Sequence, residues 1–363
     1  MRVYCHGNCQ ASALGWLLAE IKPNWTIKSR EVHNFDILQP TQFEQYCDDI
    51  RSADIILSQP VSDNYRGVDF LSLSWLKAHK RPDGQLCVFP SIHYRGYNPQ
   101  IFGLGIEAYK IGYDDVHIAD MYASGLSVEE CHDRITSPMF FTRAFVLSEA
   151  MTNLRELIRR EDVTGSHARV SPILATRMDQ ELLFHTFNHP NRRILVSVVE
   201  QLMAAAGQPV TLPLVGMCYL NNTRIIPYPS AVTSLGMDVS AVPERGLFVH
   251  LHVAMPLVDF VKKAYEAYEQ AGREQLRTAI SNNKWASAYL ERYRNSQPLE
   301  QGFNAGSFVE GLFRTLLRRH PTAPDVAYWV KRLSEIGPAE VVRHITLSDE
   351  FQDRENRVVL ELI

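Results

Sequence analysis

The sequence has no long apolar run. Its longest, LFVHLHVAMPLV (247–258), is interrupted by two histidines and a proline, well short of the ~20 apolar residues that a membrane-crossing helix needs; no membrane span is expected. The first residues carry no basic stretch followed by an apolar segment of about 7–15 residues, so no export signal is expected. Cysteine is sparse. Six of them (Cys5, Cys9, Cys47, Cys87, Cys131, Cys218) are scattered over 363 residues, whereas a disulfide framework packs them densely in a short secreted chain. These absences point to a reducing, cytoplasmic setting. Excess positive charge is lacking too: 37 Lys and Arg against 41 Asp and Glu leave a net charge of −4, which gives nucleic acid no electrostatic footprint. No GxGxxG follows the first strand-like segment and no GxxxxGK[ST] occurs, so the usual dinucleotide and P-loop fingerprints are missing. There is no fixed-period repeat and no low-complexity tract.

What is present is a chain with 45% apolar residues, enough to bury a large core and to form two domains. Its first hundred residues alternate between two periodicities. Segments 1–5, 24–35, 54–61 and 84–91 read as strands, and 10–21, 40–53 and 68–80 as helices, the first with apolar residues at 14, 17, 18 and 21. This βαβαβαβ order predicts an α/β fold with an open parallel sheet and right-handed crossovers. Beyond about residue 105 the pattern is mainly helical, over 142–162, 171–184, 191–207 and 256–280. Residues 294–306, polar with Gly and Pro, read as a linker. The expected division is a main domain over 1–293 and a small helical domain over 307–363, with three or four short helices in 307–354.

Open parallel sheets bind ligands at the carboxyl ends of their strands. There the predicted strands run into HGNCQ (6–10), SQPVSDNYRG (58–67) and PSIHYRGYNP (90–99), three polar loops that would converge on one crevice. Gly7 permits a sharp turn, and the N–H groups of residues 8–11 would open the next helix toward negative charge. Cys9, at the helix mouth, is the better nucleophile candidate, its thiolate favoured by the helix dipole, while Cys5 should point into the sheet. The same N–H groups could form an oxyanion hole. A base is needed as well. His189, in the NHP turn before a strong helix, is the first choice; His185 and His93 follow, and His6 is a local alternative.

Other readings of these residues stand beside that one. Cys5-x3-Cys9 and His185-x3-His189 have spacings that zinc accepts, but the pairs lie far apart in the chain and Cys5 should face away from Cys9, so no metal is expected. Gly7-Asn8 could be turn chemistry alone, with the cysteines packed as small apolar side chains. Arg66, Arg95, Arg192 and Arg193 lie in or beside the crevice loops and suit phosphate recognition, although arginines in first helical turns are commonly solvated. Tyr94 and Tyr97 could stack on an adenine or a sugar, or simply pack.

The ordered set CHGNCQASALGWLL, ADIILSQPVSDNYR, CVFPSIHYRGYNP and FNHPNRRIL resembles the WcbI-type polysaccharide biosynthesis family, over roughly residues 1–290. The resemblance implies a protein that binds coenzyme A or acetyl-CoA and acetylates a sugar or polysaccharide acceptor in bacterial capsule assembly. The layout is also similar to SGNH-type esterases, with a Rossmann-like start, GNC where GDS would stand and NHP at the late histidine block. Those enzymes have serine where this chain has Cys9 and aspartate where it has Asn188, so His189 could instead deprotonate the sugar hydroxyl directly. On this reading Gly7, Asn8 and Gln10 supply donors to the thioester, Cys9, His189 and His93 form the catalytic set, and Arg66, Arg95, Tyr97, Arg192 and Arg193 hold the cofactor. Residues 313–351 resemble a small helical domain found on bacterial surface-polysaccharide proteins, which implies a protein partner through that domain. The alternatives are a carbohydrate esterase using the same crevice without coenzyme A, and a non-catalytic scaffold of polysaccharide assembly.

Overall fold

The computed structural model describes residues 1–35, 39–106, 112–238, 242, 247–297 and 305–353. Strands β1 (Arg2–Gly7), β2 (Thr26–Glu31), β3 (Ile55–Ser58) and β4 (Gln85–Val88) form one sheet in the order β2-β1-β3-β4, every pair parallel. Helices α1 (Cys9–Ile21), α2 (Pro40–Ser52) and α3 (Leu73–His79) connect them. The α/β fold with an open parallel sheet is therefore as expected.

Strand alternation sorts the sequence onto two faces. Val3, Cys5, Ile55 and Leu57 join the larger core with Leu14, Leu17 and Leu18 of α1. Tyr4 and Ile56 face the other way, onto Tyr46 and Ile50 of α2 and Leu71 and Leu76 near α3. His6 shares that second face, fully buried, its Nε2 2.8 Å from the Leu71 carbonyl and its ring against Tyr46. Burial lowers its pKa to about 4, which removes it as a local base for Cys9.

The chain leaves β1 for β2 on one side and returns to β3 on the other, so the strand order reverses between β1 and β3. The carboxyl ends of these two strands thus flank the crevice that such a reversal opens. The loops that follow them meet there: the Asn8 N–H donates to Gln59 Oε1 at 2.8 Å. Gly7 lies beneath that contact with φ +156°, where a Cβ would come within 2.5 Å of Gln59 Oε1.

The rest of the first compact unit, Met1–Ser296, contributes to the same core as α1. It contains a two-stranded pair β5 (Ile101–Phe102) and β6 (Asp114–Asp115), helices α4 (Val116–Ala123), α5 (Val128–Thr136), α6 (Arg143–Val163) and α7 (Ser171–Arg177), and a second pair β7 (Phe184–Thr186) and β8 (His189–Pro190). After α8 (Arg192–Ala205) come β9 (Thr223–Arg224), α9 (Pro229–Leu235), β10 (Leu247–His250), β11 (Val253–Pro256), α10 (Leu257–Ala271), α11 (Arg273–Asn282) and α12 (Lys284–Ser296).

Three helical expectations need correction. The helix predicted over 171–184 ends at Arg177, and Phe184 instead begins β7, which carries His185. The helix predicted over 256–280 is broken at Gly272, whose φ +85° and ψ 149° no helix admits. The helix predicted over 68–80 begins only at Leu73, because the Ser72 side chain caps the Trp75 N–H. The apolar run at 247–258 is a hairpin that turns through Leu251 and His252, both at positive φ.

The second unit spans Gln297–Ile363. It contains α13 (Ala305–Leu312), a π turn over 313–317 and α14 (Ala323–Thr346), packed through Val309, Phe313, Leu317, Leu333 and Val341. One helix of 24 residues thus takes most of the space predicted for three or four short ones. A capping box starts it: Thr322 and Asp325 satisfy each other's N–H groups, and Arg319 bridges Asp325 to Glu350. Of the predicted linker, residues 298–304 lie outside the described residues, as do 354–363. Among the described residues no helix is long and apolar enough to cross a membrane.

Gly7→Ala is expected to destabilise the protein by about 1–3 kcal/mol, the usual cost of overpacking at a fixed site. Chemical denaturation measures it, and the double variant Gly7→Ala/Gln59→Ala should lose less than the sum of the single losses, since the second change removes the atom that the new methyl meets.

Candidate active site

The turn between β1 and α1 is built by side-chain amides. Asn8 is the N-cap of α1, its Oδ1 accepting from the Gln10 N–H at 2.9 Å, which satisfies one of the helix's orphan donors. Gln10 is fully buried and uses its whole amide. Its Nε2 donates to the carbonyls of Ile92 and Asn188, both at 2.8 Å, while its Oε1 accepts from Gln59 Nε2 at 2.9 Å and from the Ile92 N–H at 3.1 Å. One side chain thereby ties the β1 turn, the loop after β3, the loop after β4 and the β7–β8 turn together. With both N–H bonds committed to carbonyls, Gln10 has no donor left for a thioester, which corrects the ligand role expected of it. The loop N–H groups are reduced likewise: Asn8 donates to Gln59, Gln10 to Asn8 and Ala11 to the Asn8 carbonyl. The Cys9 N–H meets none of these loop acceptors and acts instead on its own sulfur, which leaves it beside the reacting atom.

Cys9 and His189 meet here. Cys9 Sγ lies 3.7 Å from His189 Nε2, within hydrogen-bonding reach of a sulfur, although 180 residues separate them. Burial dominates both groups. It pushes the Cys9 thiol from 9.0 up to about 11, aided by the negative charge of Glu31 and opposed by the N–H groups of Cys9 and Gln10. Burial also lowers His189, against the smaller raising influences of the Leu220 backbone and Glu31. The resting pair is therefore a neutral thiol beside a neutral imidazole, and the dipole-stabilised thiolate expected from the helix mouth is not the resting form. The group that hydrogen-bonds the His189 ring from the protein side is the Leu220 backbone, and no carboxylate bonds its Nδ1.

Around the pair stand Asn188, noted in the sequence only as a departure from the esterase aspartate, and Tyr113, which the sequence reading did not single out. Asn188 Oδ1 accepts from Thr186 Oγ1 at 2.8 Å and from the Tyr113 hydroxyl at 3.1 Å, and its amide N–H2 makes no hydrogen bond among the described residues. Tyr113 lies edge-on to Phe187 with ring centres 4.8 Å apart. Gln59 follows a buried strand directly and Asn188 precedes His189; their signal was a polar side chain at a strand end.

The remaining candidates are placed as follows. His93 is half-buried, its Nε2 3.2 Å from Ser91 Oγ and its ring edge-on to Phe187; burial, then Arg160 and Arg95, lower its pKa to about 4. Arg160 clamps this loop by donating to the Ser91 and His93 carbonyls. His185 contacts Cys218 Sγ at 3.2 Å and is lowered to about 3, chiefly by burial; it belongs to a neighbouring thiol. Tyr97 is buried and donates to the Glu181 carbonyl, and Tyr94 is buried against it, so neither ring presents a stacking face.

Of the four arginines, three are engaged by the protein. Arg192 is buried, paired with Glu20 at 2.7 Å and donating to the Pro213 and Met217 carbonyls. Arg193 pairs with Glu181. Arg66 donates to the carbonyls of Val32, His33 and Phe35 and fastens the turn after β2. Arg95 differs: its guanidinium sits over the rings of Phe102 and Phe187, 4.9 and 4.8 Å from their centres, with no carboxylate or hydrogen-bond acceptor among the described residues. Also among the described residues, no group of three or more His, Cys, Asp or Glu side chains is arranged to hold a metal ion.

Comparison with known proteins finds one family. A sequence model of the polysaccharide biosynthesis enzyme WcbI matches residues 2–211, a stretch that contains the β1 turn, the loops after β3 and β4, and the β7–β8 pair. A structure of native WcbI, described as a novel polysaccharide biosynthesis enzyme without a disulfide bond between coenzyme A and one of its cysteines, is similar in fold. The TM-score is 0.68 at 20% identity, with 80% of this chain and 98% of that chain covered. The comparison with curated proteins finds no match.

Gln10→Ala should cost about 2–4 kcal/mol, because it leaves buried Ile92 and Asn188 carbonyls unpaired as well as removing bonds. Gln10→Glu should recover part of that loss as pH falls, since only the protonated acid can donate to either carbonyl; unfolding measured at two pH values separates the variants.

Proposed function

The chain belongs to the family of WcbI polysaccharide biosynthesis enzymes, and from that premise we propose that it transfers an acyl group, acetyl in the simplest case, from a coenzyme A thioester to a sugar hydroxyl. The observation that carries this reading is the Cys9–His189 pair, a thiol and a base 3.7 Å apart at the point where the strand order reverses. A nucleophile within reach of a base is the arrangement that acyl transfer requires. The similar structure, of a protein without a disulfide bond between coenzyme A and one of its cysteines, supports looking for coenzyme A beside a cysteine, and Cys9 is the one that meets a base.

In this mechanism His189 Nε2 takes the thiol proton as Cys9 Sγ attacks the thioester carbonyl carbon. The Cys9 N–H donates to the oxygen that becomes negative, with the Asn188 amide as the second available donor. When the tetrahedral carbon collapses, the coenzyme A sulfur leaves and receives the proton from His189, and the acyl group rests on Cys9. His189 next takes the proton of a sugar hydroxyl, the alkoxide oxygen attacks the acyl carbon, and Cys9 Sγ leaves and is reprotonated. A neutral resting pair suits both halves, because each begins with the removal of a proton by an unprotonated imidazole. Arg95 is the cation best placed to meet a phosphate of the donor, having no acidic partner among the described residues.

Calorimetry should detect coenzyme A binding, and mass spectrometry of protein mixed with acetyl-CoA should show one acetyl group on the Cys9 peptide. Cys9→Ala and His189→Ala should each lower transfer by at least about a hundredfold. If Cys9→Ala transfers normally while His189→Ala does not, the acyl group passes directly to the acceptor. Hydrolysis of acyl sugars with no coenzyme A binding would establish the esterase reading instead.

The pH profile has a definite sign. Transfer needs unprotonated His189, which burial holds below the ordinary imidazole range, so kcat/KM should stay level from about pH 7 to about pH 9 and fall only on the acid side of that range.

A further inference from the structure

Glu31 is the last residue of β2 and stands in register with Gly7, the last residue of β1. Its side chain follows from strand parity. Ile27 and Ser29 reach α1, since a Cβ on Gly15 would touch both, at 3.5 and 3.7 Å; Glu31, two residues further on, falls on the same face of the sheet. That face, at the carboxyl end of β2 and beside Gly7, is where the first turn of α1 begins with Cys9. The carboxylate is held there by the turn that follows: Asn34 Nδ2 donates to Oε2 at 2.9 Å, His33 Nε2 lies 3.5 Å from the same oxygen, and Arg66 pins the Val32, His33 and Phe35 carbonyls. This fastening gives a half-exposed acid on an edge strand a fixed position.

We propose that Glu31 is the third member of the Cys9–His189 site, a carboxylate that supports the positive charge His189 acquires and opposes a resting thiolate on Cys9. Its charge reaches both partners, disfavouring the Cys9 anion and favouring the His189 cation. The other titratable groups acting in this neighbourhood are Tyr113, which faces Cys9 from beyond β5, and His185, which faces His189 from β7. Neither carries charge in its resting form, so among the described residues Glu31 is the charge that acts on both members of the pair. No carboxylate bonds His189 Nδ1, and the Leu220 backbone is the hydrogen-bonding group on the ring, so the support from Glu31 comes through space rather than through the hydrogen bond that usually orients a catalytic histidine. Glu31 is a positioning residue in the electrostatic sense: it touches neither the acyl group nor the acceptor in the scheme above. The effect on Cys9 stands by itself, whereas the effect on rate rests on the proposed acyl transfer.

Glu31→Gln tests both. Removing the charge lets the Cys9 thiolate form at lower pH, so peptide-resolved alkylation of Cys9 at pH 8 should quicken by about three- to tenfold. It also destabilises the imidazolium, so kcat for transfer should fall by about tenfold, with the acid limb of kcat/KM moved to lower pH and KM for the thioester changed less than about twofold. Glu31→Asp, which keeps the charge, should restore most of the wild-type behaviour, and Asn34→Ala, which loosens the carboxylate without neutralising it, should leave the Cys9 titration close to wild type. A folded Glu31→Gln protein whose Cys9 titrates as in the wild type overturns the assignment. If the wild type transfers no acyl group but Glu31→Gln still speeds alkylation, the assignment stands and the transfer reading falls.

Discussion

The Gln10 side chain is the constraint on which the site depends. An amide with two donors and two acceptor lone pairs can be satisfied completely in a dry interior, and Gln10 reaches that limit with Gln59, Ile92 and Asn188. The groups it joins come from three separate connections, which it ties to its own turn after β1. Because a half-satisfied buried amide costs more than an apolar side chain would, the network forms as a unit. The close approach of Gln59 to Gly7, the seating of Asn8 as the helix cap and the delivery of His189 to Cys9 follow from it.

Burial by the same network decides the electrostatics of the pair. A helix N-terminus favours an anion by about 0.3–1 kcal/mol, up to about 2 in buried geometry. Raising the Cys9 thiol from 9.0 to about 11 corresponds to about 3 kcal/mol against the thiolate, so desolvation and the Glu31 charge outweigh the helix. A thiol of high pKa is also the more nucleophilic sulfur once its proton is removed. The arrangement therefore trades resting thiolate for reactivity released at the moment His189 acts, as in a serine–histidine pair rather than a thiolate–imidazolium one.

Much of the fold was legible because its signals are local. The four strands, their crossover helices and the Cys9 turn follow from periodicity and from Gly7, and His189 stands out as a histidine in a tight turn before a strong helix, which the structure brings to Cys9. The residues missed are those whose role depends on long-range pairing. Gln59 and Tyr113 are ordinary polar residues in sequence, and Glu31 sits on an exposed strand with nothing to mark it until its register with Gly7 is known. The helix ends that shifted did so at single residues, Gly272 and the Ser72 cap, where a conformational preference cut across an otherwise helical pattern.

The arginines show the same contrast in charge. A guanidinium near a ligand loop reads as an anion site, yet its five donors serve equally well to gather backbone carbonyls that a sharp loop leaves unpaired. Arg192, Arg66 and Arg160 do this for the segments at 213–217, 32–35 and 91–93. Carbonyl clamps of this kind give the crevice its shape without lending it charge. Arg95 lies against two aromatic rings and has no acidic partner among the described residues, while burial works against its charge. Glu31 supplies the opposite sign on the Cys9 side. A donor carrying phosphates would meet Arg95 with its charged end and the Cys9–His189 pair with its neutral thioester, and that division of charge across the crevice sets the direction in which such a molecule can lie.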